Sequence, residues 1–288
     1  MSFEGYLFLT LLEGIVTGFV LALTALGLSL VFGVMRIVNI AHGEFFMLGA
    51  VIAWYSSTLL GSYLVALLMA PLIVGGIAYL TDRLVLRRID YKPESTIVAT
   101  IGLLYILQQL VLTVYGPYAR QVVTPFYFRI DFPWFGYSGY KLVIAGIATV
   151  LLIAIYFVMT RTTVGLYMRA TQQDREMAQA FGVPVHRIYP FVFALGAGLA
   201  AIAGALVVPV QQAHYLMGLD ALLLSFIVVV LGGLGSLKGT VVAAFLVGIS
   251  DAVVSMFFSP TLAKIVATLL VALLLTFKTS GLFGDEEA

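Results

Sequence analysis

The sequence predicts an all-α, polytopic helical membrane protein with about eight transmembrane helices, one or two of them broken or re-entrant. Three observations carry that reading. Hydrophobic residues make up 62% of the 288 and charged residues only 10%, too few to cover a water-facing surface. The mean hydropathy is +1.09. The apolar residues also fall into runs close to the ~20 residues that a helix needs to cross a hydrocarbon core of about 30 Å. Lipid offers no partner to an open backbone, so each run has to satisfy its own hydrogen bonds as a helix.

The first run, 6–34, is broken by one charge, Glu13. It lacks the basic leader and small-residue cleavage site of a secretory signal, so the N-terminal segment is expected to be retained. Runs 62–80, 95–115, 142–159, 188–210, 240–258 and 261–277 each read as a further span. Runs 45–60 and 221–237 are shorter and have polar or glycine-rich flanks, so each could be a short span, a broken helix or a re-entrant hairpin. Residues 1–288 read as a single transmembrane domain.

Charge gives the spans a direction. Arg83, Arg87, Arg88 and Lys92 crowd the segment between Asp82 and Glu94, which the positive-inside rule places in the cytoplasm. Parity puts 161–187 on the same side. The loop between them carries Tyr118, Phe126, Tyr127, Phe128, Phe132, Trp134 and Phe135, the aromatic signature of a segment lying along the outer interface. A formal charge of +1 argues against a nucleic-acid partner. With no cysteine, disulfides and thiolate metal sites are excluded, and His42, His186 and His214 are widely scattered. No His-Glu-x-x-His or Gly-x-Ser-x-Gly appears, and nothing marks a catalytic constellation.

Between the spans, 169–184 reads RATQQDREMAQAFGVP. Thr171 followed by Asp174 approximates a capping box, and Gly182 and Pro184 supply a stop, which predicts a short helix over 172–181. Its length would be about 15 Å, with Met177, Ala178 and Phe181 on one face. That face suits either a cytoplasmic protein or the membrane surface.

Inside the apolar runs, Asn39, His42 and Glu44 stand close together, with Gly43 expected to permit a sharp backbone break and a new helix expected near Glu44. Such a helix start could receive an anionic group or be capped locally by Glu44. Both a structural break and direct lining of a pathway fit, and both require an interrupted helix. Glu13, Asp251 and Lys264 also lie in proposed spans, where an unpaired charge costs at least ~2.5 kcal/mol. Lys264 could snorkel to the interface, and Asp251 could pair with Lys264 or face a pathway. Gly14 and Gly18, and Ala197, Ala201 and Ala205, are small-residue series that permit close helix packing. Leu28-Ser29 and Gly43 recur 196 residues later as Leu224-Ser225 and Gly239, a faint internal echo.

Four blocks carry a family resemblance: 27–44 (GLSLVFGVMRIVNIAHGE), the polar helix from Arg169-Ala170 to Gly182, 231–239 (LGGLGSLKG) and the terminal Gly281-Leu282-Phe283-Gly284. In this order and over nearly the whole chain they resemble the LivH-type permeases, membrane subunits of ABC importers for branched-chain amino acids. The family's usual Arg-Pro before the terminal block is replaced here by Lys278-Thr279-Ser280. The resemblance implies a permease, not an enzyme, in the bacterial or archaeal cytoplasmic (inner) membrane. Its implied partners are a second permease of LivM type, two cytoplasmic ATPase subunits and a periplasmic substrate-binding protein. The chain would hold no cofactor of its own, ATP being bound by the partners. Consistently, no Gly-x-x-x-x-Gly-Lys-[Ser/Thr] loop is present, and 233–240 (GLGSLKGT) puts its lysine before the glycine.

The resemblance assigns Asp174, Met177, Ala178, Phe181 and Gly182 to the ATPase-coupling helix, at about 171–182. Ser29, Asn39, His42, Gly43, Glu44, Gly239 and Asp251 are the candidate pathway residues. Relatives of this type carry branched-chain or other amino acids, amides or urea. An ion-driven secondary carrier is the rival from another class and would depend on essential membrane carboxylates.

Overall fold

The computed structural model describes residues 3–278 and 281–283. The chain runs α1 (Phe3–Met35), α2 (His42–Leu59), α3 (Tyr63–Leu84), a 3-10 turn (Leu86–Ile89) and α4 (Pro93–Val114). A β-ribbon follows, β1 (Arg129–Asp131) antiparallel to β2 (Gly136–Ser138). Then come α5 (Gly139–Arg161), α6 (Thr163–Gln173), α7 (Arg175–Ala180), α8 (Val185–Val207), α9 (Met217–Gly232), α10 (Leu237–Phe257) and α11 (Pro260–Phe277). Among the described residues, α1, α3, α4, α5, α8 and α10 are long and apolar enough to cross a membrane. The two ambiguous short runs are the helices α2 and α9.

The two ends of the bundle differ in charge. Arg36, the basic segment 83–92, 161–187 and Lys238 all lie at the end where α1 finishes and α10 starts. Of the 15 basic residues, only Arg120, Arg129, Lys141 and Lys264 lie toward the other end. The N-terminal end of α1 is at that second end, because Phe8 stacks edge-on against Phe132 and Trp134 of the aromatic loop. By the positive-inside rule the start of α1 is therefore external and the 83–92 turn cytoplasmic. The outer loop holds the β-ribbon and a bridge between Arg120 and Ala213, neither of which its sequence signalled.

Helices α1 and α8 form the centre. Their most apolar windows are 78% buried, against 22% for those of α4 and α5, whose apolar faces point outward. An outward apolar face is stable only if lipid solvates it, and lipid gives helices no hydrophobic reason to associate. Close packing has to hold the centre instead, and small residues allow it. A methyl group on Gly49 of α2 would strike the Ala201 backbone of α8, and one on Gly204 would strike the Phe46 carbonyl. Gly14 and Gly18 sit in the same way against Ile249 and Phe245 of α10.

The cytoplasm-distal end of α8 is held by two tyrosines. Helix ends leave carbonyls without intrahelical partners. Tyr63 of α3 donates to the Ala205 carbonyl at 2.5 Å and Tyr140 of α5 to the Leu206 carbonyl at 2.7 Å, with the two hydroxyls 2.7 Å apart. This ties α3 and α5 to the central helix.

Gly49→Leu should lower stability by about 1–3 kcal/mol or more, since overpacking against backbone leaves little room for relaxation. Gly76→Ala in α3, where the added methyl meets nothing within 4 Å, should be neutral or raise stability by up to about 1 kcal/mol. Thermal unfolding of the two variants in detergent checks this, and the reverse ordering would refute backbone approach as the packing rule.

Candidate functional site

The first polar site is the break between α1 and α2. Arg36 takes the left-handed region, φ 54°, and turns the chain. Residues 36–41 then run back without helix, so α2 begins inside the bundle. Exposed backbone there would be unstable in lipid, and most of the segment is buried with its polar groups matched from nearby. The Asn39 side chain accepts from the Ala41 amide at 3.1 Å, and the Ile40 amide donates to Thr100 of α4 at 3.2 Å. His42 Nε2 lies 2.9 Å from the Thr24 carbonyl, which can only accept, so that nitrogen carries the proton. Glu44 Oε1 accepts from Gln108 Nε2 of α4 at 3.0 Å. Asn39 Nδ2, His42 Nδ1 and Glu44 Oε2 are buried with no hydrogen-bond partner among the described residues.

The helix begins near Glu44 as expected, and two other sequence expectations change here. Helix α2 starts at His42, and Glu44 does not cap it but reaches across to α4. The left-handed residue at the break is Arg36, not Gly43. Gly43 lies inside α2, where a methyl would collide with the Gly218 carbonyl of α9. Its requirement is close approach, not backbone freedom. Asn39, His42 and Glu44 are almost completely buried, while Thr24 and Phe46, next to them, border a cavity described below.

The second site is the turn between α9 and α10. Gly233 and Gly235 both take positive φ, and the Ser236 side chain caps α10 by accepting from the Gly239 amide at 3.2 Å. Gly239 packs against the Gly232 carbonyl, and Ser29 Oγ lies 3.0 Å from Thr240 Oγ1. The 233–240 motif is thus a helix-joining turn. The C-terminal block docks on it, the Leu282 amide donating to the Leu231 carbonyl at 2.9 Å and the Phe283 amide to the Gly232 carbonyl at 3.1 Å. Gly284 and the departure at Thr279-Ser280 lie outside the described residues.

The third site is the cytoplasmic segment. Instead of one helix over 172–181 there are two, α6 and the six-residue α7. Thr171 is buried within α6 and donates to the Tyr167 carbonyl at 2.8 Å, so it caps nothing. Asp174 is the cap, accepting from the amides of Glu176 at 2.8 Å and Met177 at 3.0 Å. Gly182, φ 83°, ends the segment as expected. Met177 and Phe181 project outward, 52% and 82% exposed, whereas Ala178 is buried at 4% and does not share their face.

This tip is anchored at two places. Gln172 Nε2 donates to the Gly235 carbonyl at 3.2 Å, and Arg36 donates to the Gln172 carbonyl at 3.3 Å. Arg175 lies over the rings of Tyr189 in α8 and Tyr91, 5.3 and 5.9 Å from their centroids. Burial, and then the Asp82 carboxylate, push the Tyr91 phenol well above its ordinary range, so it stays protonated and donates to Asp82 at 3.3 Å. Sequence reading missed Arg175, Tyr91, Tyr189, Gln108 and Gln172, since nothing local marks a partner that sits on another element.

The spans' charges meet around a cavity of about 330 Å3. Glu13 pairs with Lys141 of α5 at 2.5 Å. Lys264 does not form its close pair with Asp251; it pairs with Asp220 of α9 at 2.6 Å. Asp251 borders the same cavity and feels the Lys264 charge.

Enclosed polar groups, an interrupted helix and a projecting tip, all on a bundle of long apolar helices, mark a multi-pass membrane protein. The chain belongs to the family of branched-chain amino acid transport system permease components, whose model matches residues 10–275. It is 26% identical to the high-affinity branched-chain amino acid permease LivH of Escherichia coli K12, over 98% of this chain and 97% of that one. Its identity to BraD of Pseudomonas aeruginosa is 28%, over 96% and 95% of the two chains. A probable LivH of Methanocaldococcus jannaschii is 29% identical, over 86% of this chain and 82% of that one. PsaBC from Streptococcus pneumoniae, solved with a Fab, shares the fold, with a TM-score of 0.52 at 11% identity over 91% of this chain and 89% of that one.

Glu44→Leu should leave the Gln108 amide unpaired and destabilise the permease by about 1–3 kcal/mol, whereas Glu44→Leu with Gln108→Leu should recover most of the loss. Melting temperatures of the two single variants and the double decide this. Strict additivity would show that the α2–α4 hydrogen bond does not couple the pair.

Proposed function

We propose that this chain is the membrane-spanning permease subunit of an ABC importer for branched-chain, hydrophobic amino acids, set in the cytoplasmic (inner) membrane of a bacterium or archaeon. A periplasmic binding protein hands over the substrate, a second permease completes the pathway, and two cytoplasmic ATPase subunits bind and hydrolyse ATP. The relatives' shared description supports the substrate class, and the sequence itself has no phosphate-cradling loop.

The observation that carries the mechanism is the anchoring of α7. A greasy tip of Met177 and Phe181 projects from the cytoplasmic end, while its base is tied to α8 through Arg175 and to the α9–α10 turn through Gln172. An ATPase groove that grips this tip moves a short rigid element. The displacement then reaches the central helix α8 and the packed α1–α9–α10 unit together. Glycine-on-glycine contacts such as Gly27 with Gly196 let these backbones slide as surfaces, without unpacking large side chains.

The exposed Phe181 is a cleaner probe of this than the buried Ala178, because Ala178→Asp would disturb α7 itself. Phe181→Asp should insert and fold normally, lose co-purification with the ATPase subunits and reduce labelled leucine uptake by about tenfold or more, the scale of losing an interfacial anchor. Normal assembly and uptake in this variant would overturn the coupling role. Uptake of labelled urea but not leucine by the intact importer would overturn the substrate class.

A further inference from the structure

The cavity lies between α1, α2, α5, α8, α9, α10 and α11, toward the outer end of the bundle. Its lining has two halves. One is apolar, with Val16, Val20, Phe46, Ile144 and Val207 among its residues. The other holds three carboxylates, Glu13, Asp220 and Asp251, and two ammonium groups, Lys141 and Lys264. Its volume of about 330 Å3 falls at the small end of the ~300–1,000 Å3 typical of small-molecule sites.

The charges are not a closed structural set. Glu13–Lys141 and Asp220–Lys264 each form a close pair, which leaves Asp251 with no hydrogen bond among the described residues and only the longer-range field of Lys264. Charged groups inside a membrane protein pair with one another or face a polar cavity, since an unmatched charge there is unfavourable. The surplus carboxylate calls for a cation. Lys264, whose side chain is 33% exposed, has three donors and uses one on Asp220, so it can also receive an anion. Oppositely charged groups facing one space beside an apolar wall match a molecule that carries both charges on neighbouring atoms and an aliphatic tail.

From this we infer that the cavity is a binding site within this single chain for a zwitterionic amino acid with an aliphatic side chain. Asp251 receives its ammonium group, Lys264 its carboxylate, and the Val16–Val20–Phe46 wall its side chain. The inference rests on the importer reading above and extends it, because recognition is then exercised by the permease as well as by the binding protein. Thr24 and Phe46 at the inner end of the cavity adjoin His42 and α2, so an occupant would rest directly above the re-entrant break.

The test uses the assembled permease–ATPase complex in nanodiscs, without binding protein, and labelled leucine. Saturable binding is expected, competed by unlabelled leucine but far less by 4-methylpentanoate, which lacks the ammonium, or isopentylamine, which lacks the carboxylate. Asp251→Asn should weaken binding by about tenfold or more, the size of effect seen when one partner of a desolvated charge pair is removed. Val20→Trp, which fills the apolar wall and touches no charge, should weaken it similarly, with assembly and thermal stability monitored for both. Absence of leucine binding to the unaltered complex, equal competition by the singly charged analogues, or unchanged affinity in both variants would overturn the site. If the complete importer, supplied with binding protein and ATP, still accumulates leucine in such a case, only this site is lost. If it accumulates none, the proposed function fails as well.

Discussion

Every backbone polar group inside lipid has to find its partner within the protein, and the arrangement of this chain follows from that constraint. Helices meet it automatically, but the stretch from Arg36 to Ala41 does not. It survives only because the Phe32 carbonyl, Thr100 and the Asn39 side chain take up the Arg36, Ile40 and Ala41 amides and because α1, α2 and α4 close around it. The break in turn places the start of α2, with His42 and Glu44, in the interior of the bundle. A straight pair of spans could not deliver those groups there.

The same constraint explains why glycine and alanine are concentrated where they are. With no hydrophobic gain from helix association in lipid, contact has to come from close approach. Gly43 with Gly218, Gly27 with Gly196 and Gly232 with Gly239 bring backbones into direct contact at each of the central crossings. Large side chains fill the space beside these contacts, as where Phe45 of α2 meets Phe193 of α8 edge-on with ring centroids 6.0 Å apart.

The cytoplasmic end of the bundle is tied directly into that centre. Arg36 and Gln172 join the end of α1, the end of α6 and the glycine turn before α10, and Arg175 joins α7 to α8 through stacked rings. The C-terminal segment of residues 281–283 is hydrogen-bonded onto the same turn. The blocks that carry the family resemblance, though far apart in sequence, thus converge on one cytoplasmic surface and the break above it. The segments echoed 196 residues apart also run in the same sense, α1 and α9 inward, α2 and α10 outward.

What the sequence alone determined is what depends on composition and local period. Apolar runs of bilayer length fixed the spans, the basic cluster at 83–92 fixed their direction, and Gly182 fixed the end of the cytoplasmic segment. Polar residues in an apolar setting marked the interrupted helix. Local sequence could not decide between meanings that share one signature. Gly43 looked like a flexible joint and proved to be a point of contact, because that difference lies in Gly218 of a helix 175 residues away. Thr171 and Asp174 looked like one cap with its partner, and only the packing of α6 decided that Asp174 caps alone. Asp251 was the candidate partner of Lys264, and the tertiary structure paired that lysine with Asp220 instead. Burial, like charge pairing, is a property of what surrounds a residue. It was therefore settled only when the helices came together.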